Sequence, residues 1–93
     1  MIAMKTTQTR EVILAPSEAA LISLQATVRK LTGVIAYSSQ ILAVLQERND
    51  PKAPVIEKVL RDEEQRLQSV QADLASLIQA RTATIEAIER AGG

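Results

Sequence analysis

The sequence predicts an all-α fold, an antiparallel two-helix hairpin with helices over about 17–48 and 54–90 behind a short extended N-terminal arm. Three observations carry this reading. Proline and glycine punctuate the 93-residue chain at Pro16, in Asn49-Asp50-Pro51-Lys52-Ala53-Pro54 and at Gly92-Gly93, leaving two long segments between them. Apolar residues recur in both segments in alternating steps of three and four. The link between them, about six residues, is the length that joins antiparallel neighbours.

The arm, residues 1–16, is polar from Lys5 to Glu11, and its apolar run Val12-Ile13-Leu14-Ala15 is too short for the core of a signal peptide. Its Val12-Ile13 pair favours extended backbone. The hairpin domain, residues 17–93, opens at Ser17, whose hydroxyl suits a free amide of a first turn, with Glu18 against the positive end of the helix dipole. Asp50 or the residues just after it suit the cap of the second helix, with Pro51 or Pro54 in a first turn that needs no amide proton there.

In helix one the stripe is Leu21, Leu24, Val28, Leu31, Ile35, Ser38, Leu42 and Leu45; in helix two it is Ile56, Leu60, Glu63, Leu67, Val70, Leu74, Leu77, Arg81, Thr84 and Ile88. Folding one on the other pairs Leu45 with Ile56, Leu42 with Leu60, Ile35 with Leu67 and Leu31 with Val70. In that register the polar members Ser38 and Glu63 share a layer. Helix two then overshoots the start of helix one, and Ile85 and Ile88 need cover; the Glu11–Leu14 stretch could fold back over that end or equally reach a neighbouring subunit.

Composition narrows the functional classes. Eleven basic residues balance eleven acidic ones, so no net field draws the chain to a phosphate backbone, and Tyr37 is the one aromatic side chain available for stacking. Nucleic acid is not an expected partner. The chain has no cysteine and no histidine, so the usual metal ligands and nucleophile–base pairs are missing, and no catalytic residue, metal or cofactor is expected. The longest uncharged run, Leu31–Gln46, spans 16 residues, short of the roughly 20 that a membrane span requires, so no membrane association is expected and a cytoplasmic location is.

Outside its seam, helix one still carries Ile22, Val34, Tyr37, Ile41 and Val44, and no charge interrupts it between Lys30 and Glu47. One partner helix cannot cover a helix that is apolar over most of its circumference, and each large side chain left in water forgoes roughly 1.5–3 kcal/mol. These five residues are therefore the expected self-association surface, with a four-helix-bundle dimer or a larger oligomer as the product. Gly33 fits a second backbone coming close. Helix two is charged outside its seam, with Glu57–Arg61, Lys58–Asp62 and Glu86–Arg90 spaced for ion pairs.

These features favour a non-catalytic assembly or interaction protein: a structural subunit, adaptor or protein inhibitor that presents helix two or the arm to a protein partner. The alternative is a small anionic-ligand binder with a site between subunits around Arg10, Lys30, Tyr37 and Arg81. Glu63, facing Ser38 and Tyr37, is the one carboxylate placed for acid–base chemistry. As a polar layer it serves equally to fix register.

Overall fold

The computed structural model describes residues 2–92, with side chains from Arg10 onward, as two helices, α1 (Ile2–Glu47) and α2 (Ala53–Gly92), packed as an antiparallel hairpin. The turn between them is built from two caps in succession. α1 ends in a Schellman motif: the Asp50 amide donates to the Leu45 carbonyl (2.9 Å) and the Asn49 amide to the Gln46 carbonyl (3.2 Å), satisfying carbonyls the helix would leave free. Asn49 adopts the left-handed conformation this motif requires, with φ of 51°. The Asp50 carboxylate then accepts the Lys52 amide at 2.9 Å and its carbonyl the Ala53 amide at 3.1 Å, leading the chain through Pro51 into α2, whose first turn holds Pro54.

Burial follows the heptads. Leu31 (7% exposed) and Ser38 (8%) are buried in the α1 seam, and Leu21, Leu24, Val28, Ile35, Leu42 and Leu45 are half-buried. Each seam residue of α2 from Ile56 to Ile88, Glu63, Arg81 and Thr84 included, is half-buried, while most residues between them are exposed. A hydrogen bond of 2.8 Å from Ser38 Oγ to Glu63 Oε1 joins the two helices in the expected layer and fixes the register. A straight helix drifts by about 20° per heptad, so a seam held over the whole hairpin requires a left-handed supercoil.

The N-terminal arm is corrected by the structure: residues 2–16 are helical rather than extended, and α1 starts at Ile2 instead of Ser17. Proline inside a helix removes one backbone donor and costs about 3 kcal/mol relative to alanine. Here Pro16 stands on the exposed side of α1, while the residues flanking it extend the seam: Leu14 is 7% exposed, Ser17 is half-buried, and with Arg10 they continue the three-and-four steps back from Leu21. The Ser17 hydroxyl donates to the Leu14 carbonyl at 2.8 Å across the same turn. In the register set by Ser38 and Glu63, Leu14 falls level with Ile88 and Ser17 with Thr84. Of the Glu11–Leu14 stretch, Leu14 is thus the buried residue at the level of Ile88, reached by continuing the helix and not by folding back.

The product is a rod with extents of 70 × 17 × 13 Å and a radius of gyration of 20.7 Å, where a compact chain of this length would have about 12 Å. Its accessible surface is 7070 Å², against roughly 5300 Å² for a globular monomer of 10.1 kDa. No residue described has its side chain wholly enclosed.

Candidate functional site

With heptad positions lettered so that Leu14, Leu21, Val28, Ile35 and Leu42 are a, and Ser17, Leu24, Leu31, Ser38 and Leu45 are d, the two flanks of the hairpin differ in chemistry. In this antiparallel pairing a faces a and d faces d, so the g positions of both helices border the seam on one side and the e positions on the other. The g flank carries Ile13, Ala20, Thr27, Val34 and Ile41 from α1, and Val59, Arg66, Asp73, Ala80 and Ala87 from α2. The e flank carries Glu18, Gln25, Thr32, Ser39 and Gln46 from α1, opposite Glu57, Glu64, Gln71, Ile78 and Ile85. Next to the α1 g positions, on the outer side, are Tyr37 and Val44.

The g flank is therefore a broad, mostly apolar face. Ile13 is 48% exposed, Val34 39%, Tyr37 66%, Val44 44% and Val59 43%. Ile41 is half-buried. A groove of about 420 Å³ runs along this face between the helices, floored by Leu31 and Glu63 and walled by Val34, Val59, Thr27 and Arg66, with Lys30 and Asp62 at its margins.

Four of the five residues expected to form a self-association surface, Val34, Tyr37, Ile41 and Val44, share this face. Ile22, 59% exposed, occupies a b position on the far side of α1 and does not join them. Val59 of α2 does join them and was not marked by the sequence reading, which treated the outside of α2 as uniformly charged. Gly33 has nothing within 4 Å of the place a Cβ would take, so no backbone of this chain approaches it. The three helix-two pairs are not closed: among the described residues the one salt bridge joins Arg10 and Glu89 at 4.0 Å, and Arg90 Nε donates to the Glu86 carbonyl at 3.4 Å.

Glu63 meets Ser38 but not Tyr37, which points outward from the flank. The second carboxylate oxygen, Oε2, is buried without a hydrogen-bond partner, and so is Nε of Arg81, an a-position residue level with Leu21. The four residues expected around an anionic ligand are not brought together within one hairpin. Arg10 and Tyr37 are separated by about 40 Å along α1, at ~1.5 Å per residue. Arg10 is engaged by Glu89.

Among the described residues no three acidic side chains gather to hold a metal ion. By length and composition alone, the Arg10–Glu47 stretch of α1 is apolar enough to cross a membrane, with a mean hydropathy of 1.2 in its qualifying 18-residue window. The same residues form the seam against α2, whose outer face is charged. Comparison with protein-family models, with curated proteins and with solved structures finds no match for this chain.

Proposed function

We propose that this chain is a non-catalytic helical assembly protein that pairs with a second copy through the g flank of α1 and offers the charged outside of α2, or the N-terminal turns of α1, to a larger protein partner. The observation that supports this reading is the asymmetry of the hairpin. One flank exposes Val34, Tyr37, Val44 and Val59 together, while the opposite flank is polar over most of its length. The surface excess of the isolated rod over a globular monomer points the same way, because covering an apolar flank is what association achieves. A cytoplasmic, membrane-free setting is part of the proposal, in keeping with balanced charge and the absence of cysteine.

Light scattering behind a sizing column, over a hundredfold range of concentration, tests it. A mass of twice 10.1 kDa or a higher multiple is expected, falling to the monomer mass in Val34→Glu and Ile41→Glu. A monomeric wild-type chain at low micromolar concentration would overturn the reading.

A second reading, an anionic-ligand binder, is favoured by one observation, the unpartnered buried Nε of Arg81. Ser17 and Thr84 occupy the next layer with their hydroxyls donating to the Leu14 and Ala80 carbonyls, so an oxyanion there would accept from Arg81 Nε alone. A rise in melting temperature with millimolar inorganic phosphate or a nucleotide, lost in Arg81→Leu, would support it. No shift would sink it.

A further inference from the structure

We infer that the second copy docks on the g flank antiparallel to the first, about a two-fold axis crossing the hairpin at the level of Ser69, so that Arg66 pairs with Asp73 of the partner subunit. This rests on the self-association proposed above and specifies its geometry. A two-fold axis between two such faces has two orientations. Along the hairpin, it lays α1 against α2 of the partner subunit and sets Val34 beside Arg66 and Thr27 beside Asp73, burying charge against apolar and neutral groups. Across the hairpin, it lays α1 against α1 and α2 against α2.

The crossing axis pairs the two charges of the α2 flank, and on α1 it lays Val34 against the aliphatic stem of Lys30 of the partner subunit, a residue at the margin of the groove. On α2 it brings Arg66 opposite Asp73 of the partner subunit twice over, by symmetry, and sets Val59 opposite the small Ala80 of the partner subunit. The same axis meets α1 at the level of Thr32, because Ser38 faces Glu63 and the register carries through. There the bulky half of the flank meets the small half: Ile41 falls opposite Ser23 of the partner subunit, and Val44 opposite Ala20 of the partner subunit. Both members of the charge pair are exposed in the single hairpin and on its apolar side, seven residues apart on one stripe.

The overlap this axis produces, roughly residues 17–47 and 53–86, runs for about 45 Å at ~1.5 Å per residue. On a rod 17 Å wide, that comes close to the roughly 800 Å² per partner typical of a specific interface.

Charge reversal in the full-length chain tests the arrangement. Arg66→Asp and Asp73→Arg, each placing two like-charged pairs at the interface, are expected to weaken dimerisation tenfold or more, and the double variant to restore it. Because the chain has no cysteine, Ser69→Cys is expected to form a disulfide-linked dimer under mild oxidation, whereas Gln71→Cys on the opposite flank does not. Circular dichroism establishes that each variant remains helical. A wild-type dimer whose single reversals still dimerise fully, and which does not cross-link at Ser69→Cys, overturns this arrangement while leaving self-association standing. A wild-type monomer overturns both.

Discussion

Ser38 Oγ on α1 donates a 2.8 Å hydrogen bond to Oε1 of Glu63 on α2, and the other oxygen of that carboxylate is buried without a partner. The seam thus contains one polar layer that is half-satisfied. Removing the hydroxyl in Ser38→Ala leaves the carboxylate without its bond and is expected to cost about 1–3 kcal/mol. Replacing both residues by leucine should be neutral or stabilising, since it removes the desolvation cost of the charged group together with its bond. Urea denaturation of the three proteins reads the comparison, and a double variant less stable than Ser38→Ala would show that the layer contributes net stability.

Leu14 tests the helical continuation of α1. It is 7% exposed, and its loss uncovers the end of α2 at Ile85 and Ile88. Leu14→Ala is expected to destabilise the hairpin by about 2 kcal/mol or more, whereas Val12→Ala, at a position 74% exposed, should change stability by less than about 0.5 kcal/mol. Equal effects in thermal melts would mean that the N-terminal turns are not docked.

Asn49 carries the turn. With φ of 51°, it occupies a region that a β-branched side chain enters only at a cost of about 1–2 kcal/mol, so Asn49→Val should lower stability by that amount. Asn49→Gly should be tolerated or mildly stabilising. For a domain of this size, each kcal/mol corresponds to roughly 4–8 °C in melting temperature, well within calorimetric resolution.

Two residues are expected to improve stability when replaced. Gly33→Ala meets open space and removes a glycine from a helix interior, so a gain of about 0.5–1 kcal/mol is expected. Pro16→Ala restores a backbone donor inside α1 and should also raise the melting temperature. A destabilised Gly33→Ala would reveal a neighbouring subunit pressed against that position.

The seam was legible in the sequence because steps of three and four are a geometric statement: they select one stripe, and pairing two stripes leaves a single register in which Ser38 and Glu63 coincide. The N-terminal turns were misread because local rules gave the wrong answer. Pro16 and the Val12-Ile13 pair both argue against a helix, yet Arg10, Leu14, Ser17 and Leu21 already stood in heptad steps, and tertiary burial of Leu14 outweighs local propensity. The candidate face was half-legible. Ile22 was grouped with Val34 because both lie outside the seam, and Val59 was lost among charges. Lettering the positions separates the first from the face and adds the second.

The turn and the polar layer together also limit how this rod moves. Sliding one helix past the other by a single heptad would bring Glu63 level with Leu31 or Leu45, and the tightly capped link between Glu47 and Ala53 has no slack to supply the shift. Paired helices that slip in this way work as pistons, passing a signal along their length. A register shift of that kind is closed to this hairpin, which the polar layer and the short link hold as a single rod 70 Å long.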